Sequence, residues 1–183
     1  FTSILCLTFK IAASYNLQSI GNFTVSHPGF LSLIQTGNSG HASDDYSLYI
    51  SSFNGAPFST DHVYYIKSIG SVLSKHPTSI RPTQFTQALV WPNEVNQIPT
   101  DVFGKRMLSI AGGFLVPSKD RGSIQLVDLS HDPPGKPIEI TKATDDHQWF
   151  YHRVLWLDMN GDGRKDAITC RAKKPLIDKV PRD

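Results

Sequence analysis

Apolar residues fall along this chain in short runs. "YSLYI" (Tyr46–Ile50), "HVYYI" (His62–Ile66), "MLSIA" (Met107–Ala111), "SIQLVDL" (Ser123–Leu129), "PIEIT" (Pro137–Thr141), "RVLWL" (Arg153–Leu157) and "AITC" (Ala167–Cys170) are rich in Val, Ile, Tyr, Trp and Thr. Several alternate with period two, as half-buried strands do. Between them lie "SFNGAPFS", "AGGFLVPSKDRG" and "SHDPPGKP", whose Gly, Pro, Asn and Asp break helices and supply turn geometry. The pattern predicts a mostly antiparallel sheet protein. Helical spacing is nearest in "TQFTQALVW" (Thr83–Trp91), where one short helix would be ended by Pro92.

Composition narrows the class. With 183 residues, of which 39% are hydrophobic and 19% charged, the chain can bury one sizeable core, so one globular domain or a piece of a larger one is expected. Its 13 glycines and 12 prolines favour an all-β sandwich, barrel or propeller. "ISSFNGAPFS" and "SIAGGFLVPS" occupy similar contexts, a loose sign of repeated units of antiparallel strands. A net charge of +2 is too mild to indicate nucleic acid, and no run of like charge exceeds the Lys173, Lys174 pair. No segment approaches the roughly 20 apolar residues of a membrane-spanning helix.

The opening "FTSILCLTFKIAASYN" has an apolar run from Ile4 to Phe9, then Ala12, Ala13 and Ser14. It reads as the remnant of a secretory signal over residues 1–14, with Lys10 awkwardly close to the cleavage point. An edge strand of the folded domain is the alternative. Cys6 and Cys170 allow at most one bridge, and Cys170 stands alone if the first residues are removed. "NFT" makes Asn22 an N-glycosylation acceptor, in keeping with a secreted or secretory-pathway protein.

The densest chemistry lies in "LDMNGDGRKDAITC". With Asp158 as position 1, side-chain oxygens fall at positions 1, 3, 5 and 9, on Asp158, Asn160, Asp162 and Asp166, and Arg164 at position 7 offers its carbonyl. A hard cation such as calcium takes about six to eight oxygens, which alternating side chains of a curled loop can supply. Gly161 and Gly163 allow the curling. An all-oxygen set disfavours zinc and copper, and magnesium tolerates fewer protein ligands. The helix-loop-helix calcium pattern would need Glu at position 12, where Thr169 stands, and helices on both sides. Here strand-like "VLWL" enters and "AITC" leaves. A metal-free Asp/Asn/Gly hairpin turn is the competing use of these residues.

"RVLWLDMNGDGRKDAITCRA" resembles the D-x-[DN]-x-D-G-x-x-D calcium loop of the FG-GAP, or VCBS-like, repeat found in integrin α-subunit β-propellers and many secreted propellers. "FNGAP" (Phe53–Pro57) approximates the Phe-Gly-Gly-Ala-Pro element of that repeat, with Asn54 where the family often has Gly; an Asn-Gly hairpin turn would read the same. The resemblance, covering Tyr46 to Ala172, implies a propeller of about seven blades with calcium in hairpin loops on one face. At about 40–60 residues per blade, this chain holds about two blades of an incomplete propeller. The expected organisation is a signal remnant over 1–14, a partial propeller over 15–172, and a tail or the start of a next blade over 173–183. Asp128 and Asp132 in "LVDLSHDPPGKP" do not reproduce the ligand spacing.

"DDHQWFYH" could host acid/base chemistry on Asp145, Asp146, His147 and His152, but residues five apart on a strand face opposite ways. No G-x-S-x-G elbow occurs, so no catalytic residue is assigned. Trp91, Trp149, Phe150, Tyr151 and Trp156 are either an aromatic ligand platform or packing between strands. The expected function is a secreted module with a structural calcium ion that binds an extracellular protein or glycan. The alternative is part of a secreted hydrolase or redox enzyme framed on a propeller.

Overall fold

A computed structural model describes residues 3–4, 19–37, 45–114, 116, 118–141 and 149–173. Most of residues 1–14, expected to be a signal remnant, most of residues 173–183, and His147 with its two preceding aspartates lie outside these. The strands are β1 (Ser3–Ile4), β2 (Phe23–Thr24), β3 (Pro28–Gln35), β4 (Tyr46–Ser52), β5 (Asp61–Ile66), β6 (Thr83–Leu89), β7 (Pro92–Ile98), β8 (Met107–Gly112), β9 (Ile124–Asp128), β10 (Ile138–Glu139), β11 (Trp149–Leu157) and β12 (Asp166–Lys173). Among the described residues, the short helices α1 (Ile69–Lys75) and α2 (Thr100–Phe103) interrupt them, and Asp45 is helical just before β4. All pairing is antiparallel: β3 to β6 form one four-stranded sheet in chain order, β7 to β10 a second, and β11 and β12 a hairpin, while β1 pairs with β2. The expectation of a mostly antiparallel β protein holds. Among the described residues no sheet closes on itself.

The three sheets lie one on the next. Ile34, Tyr49 and Val63 of the first sheet meet Val95, Leu108, Ile110 and Val127 of the second in one buried cluster. The opposite face of the second sheet meets the hairpin through Ala111, Ile124, Tyr151 and Val154. β4 and β8 therefore bury both faces, which is why "YSLYISS" and "MLSIAG" read as almost unbroken buried runs. β12, with one strand neighbour and little packed on it, is largely exposed. On the outer face of the first sheet, α1 sets Ile69, Val72 and Leu73, spaced three and four apart, against Leu48, Ile50 and Ile66.

The first strand of each sheet neighbours the first strand of the next: β7 lies against β3, and β11 against β7. Polar side chains tie these strands together. The Gln35 N–H donates to Gln97 Oε1 at 3.0 Å. Buried Asn93 donates from Nδ2 to the carbonyls of Gly113 (2.7 Å) and Tyr151 (2.9 Å). Glu94 accepts from the Val154 N–H at 3.0 Å and from Arg153 Nε at 2.8 Å. Gly112 and Gly122 are where backbones nearly touch, since a Cβ on Gly122 would fall 2.0 Å from the Gly112 carbonyl oxygen.

Thr83–Trp91 corrects one expectation: it supplies β6 rather than a helix, because pairing with β5 outweighs a weak helical stripe. β3 and β7 go unpredicted from the sequence because each opens on proline, Pro28 and Pro92. Proline is tolerated at the first residue of a strand on the sheet edge, where no ladder donor is needed. "PIEIT" contributes only the two residues of β10.

Candidate calcium loop

Leu157 pairs with Asp166, so residues 158–165 form the turn of the β11–β12 hairpin. The turn folds around its first carboxylate. Asp158 accepts the Gly161 N–H on Oδ1 at 2.7 Å and the Gly163 N–H on Oδ2 at 2.8 Å. Asn160 Oδ1 accepts from the Asp162 N–H (3.0 Å), Asp162 Oδ1 from the Arg164 N–H (2.8 Å), and Asp166 Oδ2 from the Met159 N–H (3.1 Å). These are Asx-type bonds, in which a short polar side chain captures a nearby backbone donor. Gly161 (φ 77°) and Gly163 (φ 84°) occupy the left-handed region that lets the loop bend twice within three residues.

The electrostatics follow from these bonds. The Gly163 N–H, aided by that of Gly161, holds the Asp158 carboxyl below its ordinary range, so it is ionised at neutral pH. Asn160 Nδ2 donates to Asp162 Oδ2 at 3.1 Å. Lys165 turns away and donates to both Asp101 oxygens, at 2.7 and 2.9 Å, joining this loop to the β7–β8 connection. Among the described residues no three His, Cys, Asp or Glu side chains form a group that could hold a metal ion, so Asp158, Asp162 and Asp166 are not gathered on one centre. Their carboxylates are engaged with loop N–H groups instead, each oxygen keeping a further lone pair. The donor set is all oxygen, exposed and on one short loop, which suits calcium and not a soft metal.

The other residues singled out in the sequence lie outside this turn. Asn22 is exposed just before β2. "ISSFNGAPFS" runs out of β4 and "SIAGGFLVPS" out of β8, so the two echoing segments leave the second strand of successive sheets. "FNGAP" is no two-residue hairpin turn, since the whole stretch 53–60 joins β4 to β5. Phe53 stacks on Trp91 (4.4 Å between centroids), which stacks on Phe114 (4.8 Å). Phe150 meets Phe114 edge-on at 6.1 Å. Trp149, Tyr151 and Trp156 pack about the buried cluster of the hairpin. Phe53, Trp91, Phe114 and Phe150 thus pack against one another across the sheets, while the face of Trp149 is covered by the Arg171 guanidinium at 3.9 Å. His152 is exposed on β11 beside Phe150, with no described acid or nucleophile joined to it. Asp128 pairs with Lys105, and Asp132 with Lys67, so neither supplies a second loop of this kind.

Sequence reasoning misses the buried carboxylate of Asp61. Asp61 is 1% exposed and accepts from the Asn54 N–H (3.0 Å), the Trp91 N–H (2.8 Å) and Lys119 Nζ (2.7 Å). Lys119, 3% exposed, also lies within hydrogen-bond distance of the Ser59 carbonyl at 2.5 Å. The partners are 58 residues apart, and no local pattern announces them. No helix among the described residues is long and apolar enough to cross a membrane. No protein-family model, curated protein or solved structure matches the chain.

Proposed function

We propose that this protein is a calcium-binding β-propeller module of the FG-GAP/VCBS type, which works outside the cell or in the secretory lumen by binding a protein or glycan. The observation that carries the reading is the Asp158–Asp166 turn, in which four regularly spaced oxygen side chains join two adjacent antiparallel strands through two positive-φ glycines. Calcium would be held by Asp158, Asn160, Asp162, Asp166 and the carbonyl of Arg164. When bound, it neutralises the three carboxylates and fixes the hairpin and the loops beside it. The chain's own part is to keep Asp158 ionised and to hold the turn folded by backbone bonds.

Three features support blades as the architecture. Two successive four-stranded meanders and a hairpin stack face to face, with first strand beside first strand. "FNGAP" and the glycine-containing segment after β8 leave the second strands of successive meanders. Large apolar residues remain bare on the outer faces of the stack, Leu31 and Leu33 on one side and Leu155 and Leu157 on the other, where further sheets of the same kind would cover them.

Thermal melting in calcium and in excess chelator tests the calcium reading. The melting temperature should rise with calcium and stop responding in Asp162→Ala; a curve that ignores calcium would sink it. The compartment is tested separately by expressing the full chain in a secreting cell, where an endoglycosidase should shift its mass and Asn22→Gln should abolish that shift.

A further inference from the structure

A cleft of about 160 Å³ opens between the first two sheets, and no residue of the 158–166 turn lines it. Its wall carries Tyr49 of β4, Tyr65 of β5, Lys67 just beyond β5, and His131 and Asp132 from the loop after β9. Tyr49 is 1% exposed and stacks on Tyr65, with centroids 5.6 Å apart. Burial raises both phenol pKa values, with the neighbouring Asp132 charge adding to it, so both hydroxyls stay protonated and able to donate.

Across the cleft Lys67 and Asp132 form an ion pair whose side chains are 60% and 56% exposed. Such an exposed pair contributes little to stability and can exchange partners with a ligand. It presents one strong donor and one strong acceptor side by side. Arg106 also reaches the wall but has a partner of its own. The lining therefore combines two phenols with the Lys67–Asp132 pair and the Arg106 guanidinium. A cation would meet both Lys67 and Arg106, and a purely anionic group would meet the Asp132 charge.

We infer that this cleft binds one neutral sugar unit, whose adjacent hydroxyls donate to Asp132 and accept from Lys67 while the Tyr49 and Tyr65 hydroxyls donate to its remaining oxygens. The size agrees, because the volume is below the roughly 300–1,000 Å³ of drug-sized pockets and admits a single small unit. This inference rests on the reading of the protein as a binding module and assigns the glycan half of that reading to a place. It does not depend on calcium occupying the loop.

The test is a titration of the full chain, followed by NMR, with the methyl pyranosides of glucose, galactose and mannose, and with glucuronate and a short acidic peptide as charged controls. At least one neutral pyranoside should bind saturably. Tyr49→Phe, which keeps the ring, and Asp132→Asn, at an exposed site, should each weaken it about tenfold, as loss of a hydrogen bond implies. Absence of pyranoside binding, indifference to both substitutions, or tighter binding of glucuronate or the peptide would each overturn the inference. Melting the same samples with calcium and chelator keeps the two readings apart: a calcium-dependent curve without sugar binding defeats only the cleft, and sugar binding with a calcium-blind curve defeats only the loop.

Discussion

Asp61 and Asp158 are both carboxylates that accept backbone N–H groups, yet they stand in opposite situations. Asp61 is buried between two sheets, and its counter-ion is built in, the equally buried Lys119. Asp158 is exposed on a hairpin tip, and its donors are the N–H groups of Gly161 and Gly163. A neutralised, fully bonded carboxylate is part of the scaffold. A carboxylate bonded only by neutral donors, with two more carboxylates in the same turn, still has negative charge and lone pairs to offer. That difference separates the acidic group that holds the sheets together from the one that suits a cation.

Breaking the buried side should cost most. Lys119→Met leaves the Asp61 charge without its counter-ion and should destabilise the fold by about 3–5 kcal/mol. Urea unfolding measures this, and the Asp61→Asn, Lys119→Met double variant should recover part of the loss. A loss under 1 kcal/mol in the single variant would mean that the pair does not hold the sheets. Asn93→Ala comes next, since it strands the carbonyls of Gly113 and Tyr151, at about 1–3 kcal/mol by the same assay.

On the exposed side the effects are smaller and more telling. Gly163→Ala meets no atom within 4 Å, so its cost is the strain of φ 84° alone. That strain amounts to about 1–2 kcal/mol for a residue with a Cβ. Asp162→Ala in chelator should change unfolding free energy by no more than about 0.5 kcal/mol, as for an ordinary surface site. A large loss there would make the turn a self-sufficient metal-free structure.

The smallest effect is in pH. Asp158 has its pKa depressed in the folded protein, so what it contributes is present above the unfolded value of 3.8 and fades as pH falls through the lower folded value. In chelator, Asp158→Asn should therefore flatten the acid limb of a melting-against-pH profile and lower its neutral plateau slightly, where the carboxylate's contribution is fully present. An identical acid limb would show that Gly161 and Gly163 do not hold this carboxylate in solution.

The candidate calcium loop was legible because everything it needs lies within nine residues: the oxygen spacing, the two glycines and the strand-like flanks. Its bonds join residues no more than seven apart, and such local contacts are what a sequence pattern encodes. The central strands β4 and β8 were legible for the same reason, since burial on both faces writes continuous apolar runs. β3 and β7 were not, because proline at their first residue mimics a break, and only their edge position makes it harmless.

The sequence by itself determined the antiparallel β class and the donor set of the hairpin turn. The tertiary structure decided that "TQFTQALVW" is a strand, that Lys119 neutralises Asp61, and that Lys67 and Asp132, 65 residues apart, close a cleft beside Tyr49 and Tyr65. Those pairings exist because sheets stack. Stacking brings together side chains whose separation along the chain carries no periodic signal, and their energies come from burial and charge balance that neither segment has alone.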